Sequence, residues 1–253
     1  PDLPQEHTRV VEAAYLDTVV HEIRNPLSTI HASLELVLEG FADTAEERTV
    51  CLEQARTACH HTMFLVTDLL DVAALAAGTL RIHCEKIDPY AALKAVCALT
   101  EPLAQARSQT LDMLSWADHG LDDAERDPGG GTSSTATDYV WADQNRLTQV
   151  LLNLISNATK FSEPGGEITV TFEATPLGAV FEVQDQGCGV PEKTRSRLFT
   201  RFGRAHEDQG TPSGTGIGLH LCKVLVERMG GSIGYQPGPG DRGSVFWFTQ
   251  PLA

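Results

Sequence analysis

The sequence predicts an α plus α+β chain: a helical hairpin that joins a second copy in a dimeric four-helix bundle, followed by an α+β domain. Three observations carry this. Apolar residues recur at threes and fours up to Gly78. Beyond Gly78 the pattern changes to helices mixed with short strands of period two. The chain has 253 residues, 42% hydrophobic and 21% charged, which is a globular composition long enough for two ordinary domains.

The first helix is read from Leu16, with Val20, Ile23, Leu27, Ile30, Leu34 and Val37 on a heptad seam that stops at Gly40. Thr44 with Glu47 forms a capping-box signature for the second helix, whose seam runs Leu52, Ala55, Cys59, Thr62, Val66, Leu69, Ala73 and Ala76 and ends at Gly78. Two apolar stripes of this length cannot cover themselves, and symmetric pairing with a second copy is the simplest cover. Docking onto the rest of the chain is the alternative.

A helix over Ala91–Ala106 and a strand over Thr110–Trp116 come next, then a strand at Tyr139–Ala142 and a helix at Gln144–Thr159. Glu167–Ala174 and Ala179–Gln184 alternate about the turn Pro176-Leu177-Gly178, and a last strand covers Ser244–Thr249. Residues 117–138 have almost no apolar content and read as a flexible loop insertion.

Acidic residues number 34 against 19 basic ones, a formal charge of −15 that repels phosphate backbones and anionic lipid; no nucleic-acid or membrane contact is expected of this segment. The apolar run Met63–Ala77 is broken by Asp68 and Asp71, and the N-terminus lacks the order of a signal peptide, so neither a transmembrane helix nor a signal peptide is expected. The six cysteines form no CxxC pair, which fits free thiols in the cytoplasm or another reducing soluble compartment.

Four clusters carry chemistry. In His21-Glu22-Ile23-Arg24-Asn25-Pro26-Leu27, His21 lies beside the seam near the surface, Glu22 can take a ring proton, and Pro26 removes a helix hydrogen bond and should kink the helix just past His21. Asn25, one turn on, can hold a water without accepting its proton. The second cluster, Asp143, Arg146, Gln149, Asn153, Asn157 and Lys160, forms a polar stripe opposite Leu147, Val150, Leu151, Leu154 and Ile155. An Asn carbonyl with nucleotide phosphates could hold magnesium there, with Lys160 adding positive charge; an ordinary polar helix face explains the stripe equally well. The third and fourth are Asp185-Gln186-Gly187-Cys188-Gly189 after a strand and Gly214-Thr215-Gly216-Ile217-Gly218-Leu219 opening a helix, where glycines let backbone approach a phosphate. Their spacing matches neither a P-loop nor a Rossmann turn.

In this order the clusters resemble the sensor histidine kinases of two-component systems, over nearly the whole chain. HEIRNPL resembles the H box, NLISNATKFS the N box, DQGCG the G1 box, LFTRFGR the F box and Gly214–Leu219 the G2 box, while GGSIGYQPGPGDRGSVFWF resembles the closing strand pair. Val20 stands where Ser is usual, Ser213 replaces a frequent Gly, and 117–138 exceeds the usual loop.

The resemblance implies a dimerisation and phosphoacceptor hairpin over residues 1–80, then an α/β sandwich of the GHKL ATPase type over 86–253, with an ATP lid at about 203–213. It implies that His21 accepts the γ-phosphoryl group of ATP with Glu22 as base, and that Asp185 bonds the adenine amino group. Asn157 would hold Mg2+ with Asn153 and Lys160 near the phosphates. Gly187, Gly189, Gly214, Thr215, Gly216 and Gly218 would shape the pocket, and Arg204 would reach the γ-phosphate. The implied partners are a second copy, as a homodimer, and the receiver domain of a response regulator, with Asn25 at the position associated with phosphatase activity. Two alternatives remain at this point: another GHKL-type ATPase, such as a gyrase, chaperone or mismatch-repair ATPase, and a catalytically silent dimeric scaffold.

Overall fold

The computed structural model describes residues 3–115, 139–176, 178–201, 203 and 216–253. Two compact units result, one formed mainly by Pro1–Leu80 and the other by Arg81–Pro212 with Leu219–Ala253.

The first unit is a hairpin of α1 (Leu3–Leu38) and α2 (Ala45–Ala76). α1 runs through Pro26 without interruption. It ends where Gly40 takes φ +78° and the Phe41 N–H reaches back to the Leu36 carbonyl at 3.0 Å, a Schellman-type close. The expected capping box forms: Thr44 Oγ1 accepts from the Glu47 N–H at 3.1 Å, and Glu47 Oε2 accepts from the Asp43 and Thr44 N–H groups at 2.9 and 3.1 Å. Those donors hold the Glu47 carboxyl below its ordinary range. Gly78, at φ +68°, closes α2 in the same manner, with the Thr79 N–H on the Ala74 carbonyl at 2.8 Å.

Within one copy of the hairpin each expected seam divides into two stripes. On α1 the inward stripe is Ile23, Pro26, Ile30, Ser33 and Val37, whereas Val20 and Leu27, both 49% exposed, and Leu34 face outward. On α2 Ala55, Ala58, Thr62, Leu69 and Val72 turn inward, while Leu52, Cys59, Met63, Val66, Leu70 and Ala73 stay exposed. Among the residues that turn inward, Ser33, Ala55 and Ala58 are small and buried, while most of the larger side chains stand on the flanking stripe.

In the second unit, β2 (Thr110–Ser115), β4 (Glu167–Thr175), β5 (Gly178–Asp185), β7 (Ser244–Gln250) and β6 (Ile233–Pro237) form one sheet in the order β2-β4-β5-β7-β6. Within this sheet β2 and β4 pair in parallel and the other neighbouring strands antiparallel. β1 (Glu85–Ile87) and β3 (Val140–Ala142) make a separate antiparallel pair. Helices α3 (Pro89–Gln105), α4 (Gln144–Phe161) and α6 (Gly218–Arg228) accompany the sheet, with α5 (Glu192–Arg195) a single turn. β4 and β5 alternate as expected: Ile168, Val170, Phe181 and Val183 are buried. They share the core with Leu147, Val150, Leu151, Leu154 and Ile155 of α4 and Leu221, Leu225 and Val226 of α6. Phe181 and Phe248 stack at 4.6 Å between ring centroids at its centre.

α3 starts at Pro89, ahead of the expected Ala91, because Asp88 caps it through Oδ1 to the Tyr90 and Ala91 N–H groups at 2.9 and 3.1 Å. Trp116 and the loop 117–138 lie outside the described residues, as does the expected lid except for Gly203.

Candidate functional site

The period-two alternation that buries Phe181 and Val183 also buries the last residue of β5, Asp185, which is 3% exposed. A carboxylate on the core side of a strand end needs donors. Asp185 Oδ1 accepts from the Gly187 N–H at 2.8 Å, and the Ser244 N–H and hydroxyl bond the same carboxyl. Burial nevertheless dominates and raises its pKa above the ordinary value, the three donors opposing that rise.

Backbone surrounds this carboxyl so closely that side chains are excluded. A Cβ on Gly187 would lie 2.3 Å from the Phe161 carbonyl oxygen and 2.9 Å from Asp185 Oδ1. Gly189 adopts φ +68°, and a Cβ there would meet the Gly243 carbonyl oxygen at 3.1 Å. Gly243 itself has φ +74° and would place a Cβ 1.8 Å from the Asp185 carbonyl oxygen. Ser244 and Gly243 were missed in the sequence; the only signal is the turn Asp241-Arg242-Gly243 leading into the last strand. Cys188 between the two glycines is exposed, and its thiol is pushed up, first by partial burial and then by the Asp185 and Glu163 carboxylates. That thiol is a poor thiolate.

The end of α4 reaches the same place, since Gly187 packs on the Phe161 carbonyl. Of the expected polar stripe, Gln149 and Asn153 are buried and Asn157 and Lys160 half-buried. Asn157 Nδ2 donates to Asn153 Oδ1 at 3.1 Å, so the carbonyl oxygen is the end of Asn157 not used by this bond. Arg146 Nη1 donates to Gln149 Oε1 at 2.9 Å. Asp143 departs from the stripe: its Oδ1 caps α4 through the Asn145 and Arg146 N–H groups, and its Oδ2 accepts from the His83 N–H at 2.8 Å. It is a structural cap.

Gly216 has φ +66° and leads through buried Ile217 into Gly218, the first residue of α6. His220 Nδ1 lies 3.1 Å from the Phe199 carbonyl, which ties the first turn of α6 to the segment after α5. Arg204, Gly214 and Thr215 lie outside the described residues. In the hairpin, His21 is exposed on α1, Glu22 is half-buried and Asn25 is exposed one turn further.

Two family models match the two parts in turn. Residues 13–78 match the His Kinase A phospho-acceptor domain, and residues 142–253 match the histidine kinase-, DNA gyrase B-, and HSP90-like ATPase. The order of the two decides the assignment, since the ATPase model is shared with gyrase and the chaperones and the phospho-acceptor model is not. The chain carries both domain types of the histidine kinases, and relatives that match it along nearly its whole length include sensor histidine kinases. Among its relatives, the sensory/regulatory protein RpfC of Xanthomonas campestris is 33% identical over 255 residues, covering 98% of this chain and 32% of that protein. Two-component system protein A of Emericella nidulans is 32% identical over 98% of this chain and 34% of its own length. The sensor histidine kinase AruS of Pseudomonas aeruginosa is 33% identical over 96% of the chain and 23% of its own. This chain therefore spans between 23% and 34% of the length of these relatives. Full-length ShkA, crystallised in complex with AMPPNP, aligns with a TM-score of 0.60 at 29% identity, over 94% of this chain and 45% of that one. Among the described residues no helix is long and apolar enough to cross a membrane.

Proposed function

We propose that this histidine kinase core transfers the γ-phosphoryl group of ATP to His21 and passes it on to an aspartate of a response-regulator receiver domain. The observation that carries the reading is Asp185, a buried, triply bonded carboxyl enclosed by glycines that tolerate no side chain, in a chain whose phospho-acceptor region presents an exposed histidine. A planar base with an exocyclic amino group fits such an acceptor, and the adenine of ATP has one.

In this reading Asn153, Asn157 and Lys160 face the phosphates, and Gly187, Gly189, Gly216 and Gly218 shape the pocket. Arg204, Gly214 and Thr215 keep the roles their motifs suggest. The donor set suits magnesium sparsely, with one amide oxygen on Asn157 and the remaining positions left to phosphate and water, as that ion prefers. A bound magnesium ion would supply charge neutralisation at the phosphate oxygens. The unprotonated ring nitrogen of His21 attacks the γ-phosphorus, the bond to the ADP oxygen breaks, and the proton on the other ring nitrogen passes to Glu22. A receiver aspartate then attacks the phosphohistidine and leaves His21 free.

Two copies make the working unit. The outward stripe of Val20, Leu27, Leu34, Leu52, Val66 and Leu70 is an apolar face of the kind that a second hairpin buries in a four-helix bundle.

The test is acid-labile label from γ-labelled ATP. His21→Gln should take none while binding nucleotide as the unchanged chain does; label retained in that variant would overturn the assignment. Asn25 is proposed to orient a water in line with the aspartyl phosphate of a docked receiver. Asn25→Ala should keep most of the His21 labelling and slow dephosphorylation of the receiver severalfold; equal loss of both activities would remove that role.

A further inference from the structure

The last turn of α4 is held by a residue that no cluster in the sequence includes. Gln109 stands just before β2, fifty positions away from that turn along the chain, and is 4% exposed. Its Nε2 lies 3.0 Å from the Thr159 carbonyl oxygen, 3.1 Å from that of Ser162 and 3.2 Å from that of Glu163. Two N–H groups thus serve three carbonyls at a helix C-terminus, where the last four have no partner inside the helix. Arg107 Nη2 adds a longer contact to Ser162 O at 3.4 Å. Two backbone bonds tie the same segments, from the Gly165 N–H to the Arg107 carbonyl at 3.3 Å and from the Thr110 N–H to the Gly166 carbonyl at 3.0 Å.

What Gln109 grips is one wall of the candidate site. The carbonyls it holds, at 159, 162 and 163, bracket Lys160 and Phe161. The Phe161 carbonyl is the surface on which Gly187 packs, and Asn157 is one turn back on the same helix. A shift of this turn moves Asn157 and Lys160 together, whereas Asp185 keeps the β5 ladder and its bonds from the Ser244 N–H and hydroxyl, neither of which belongs to the turn. The other end of the Gln109 amide, Oε1, is buried with no hydrogen-bond partner among the described residues. An unpaired acceptor in the interior is costly, so the residue is not what packing alone would select.

We infer that Gln109 is a positioning residue for the phosphate side of the nucleotide site, acting through the end of α4 on Asn157 and Lys160. The inference rests on the nucleotide-binding reading above. It assigns Gln109 no contact with the nucleotide.

The experiment compares two ligands on the whole chain, Mg–ATP and adenosine, by calorimetry at one temperature below the unfolding transition. Adenosine probes the Asp185 end and lacks phosphates. Gln109→Met keeps the volume, removes the unpaired Oε1 and deletes the donor. It should weaken Mg–ATP by about tenfold, the scale of a small misplacement of binding groups, and change adenosine less than about twofold. Gln109→Glu, which sets an acceptor against three carbonyls, should lower the Mg–ATP to adenosine affinity ratio at least as far. Equal losses for both ligands would make Gln109 a purely structural residue and overturn the inference, as would an unchanged Mg–ATP affinity. An unmodified chain that binds adenosine and Mg–ATP equally would overturn the phosphate-side assignment itself. One that binds neither would overturn the nucleotide reading, and this inference with it.

Discussion

The two units of this chain bury their apolar residues in opposite ways. In the sheet unit the large side chains are the ones hidden: Phe181, Phe248, Leu151 and Leu154 have no exposed surface. In the hairpin most of the buried residues are small or polar, such as Ser33, Ala55 and Ala58, with Val72 among the few larger ones, while Leu27, Leu52, Met63 and Leu70 stand in solvent. A unit that covers its own large residues is complete as a monomer. One that exposes them is, in the dimer proposed above, half of a core whose stability would be tied to the concentration of its partner. The site follows the same division: the buried carboxyl belongs to the unit that covers its own core, and the exposed histidine to the unit proposed to pair with a second copy.

The strongest way to break the comparison is to charge the outward stripe. Leu27→Asp should convert the proposed dimer to monomer in sedimentation, because an unpaired carboxylate would be buried twice in a symmetric interface, and should leave nucleotide affinity in the sheet unit unchanged. A dimer that persists would mean that the stripe is covered in some other manner.

A second test addresses the complete unit alone. Asp185→Asn should weaken Mg–ATP binding by roughly 1.5–3 kcal/mol, the range for hydrogen bonds to a charged group. It should also stabilise the unliganded sheet unit at neutral pH. Burial holds the folded pKa of Asp185 above its ordinary value of 3.8, so the native state binds more protons than the unfolded chain between those two values. Stability therefore rises as pH falls from neutrality through the folded pKa, and nucleotide affinity falls over the same interval because the acceptor is lost. Thermal melts and titrations across that range check both signs, and Asp185→Asn should flatten both profiles.

The smallest effect lies at the hairpin turn. Thr44→Ala removes one half of the capping box and should cost about 1 kcal/mol of hairpin stability, read from urea unfolding at fixed chain concentration, with no change in ligand binding.

Much of this was legible in the sequence where periodicity speaks. The hairpin, the capping box, the alternation of β4 and β5 and the apolar face of α4 all follow from repeats of 3.5, 3.6 or 2 residues. Which half of each seam turns inward within one hairpin is not legible, because neighbouring heptad stripes look alike in a sequence; the burial of Ala55 and Ala58 tells it. β1 went unread because three residues, Glu85–Ile87, are too short to display a period. Among the site residues, Asp185 and its glycines announce themselves as a motif. Ser244, Gly243 and Gln109 do not, since each acts on a residue far away in the chain. Asp143 sat at the right spacing for the polar stripe, yet the backbone N–H groups of α4 claim its carboxylate.

The crowding of main chain around Asp185 also bears on how such a site can vary. Gly187 and Gly243 each occupy a position where the first carbon of any side chain would overlap a neighbouring carbonyl oxygen, and Gly243 adds a left-handed backbone. Neither position can drift by small steps, because the smallest available replacement, alanine, already collides. Variation within this loop is channelled to Gln186 and Cys188, whose side chains are exposed. The floor that holds the ligand is thus kept by geometry, and the rim is where related proteins are free to differ.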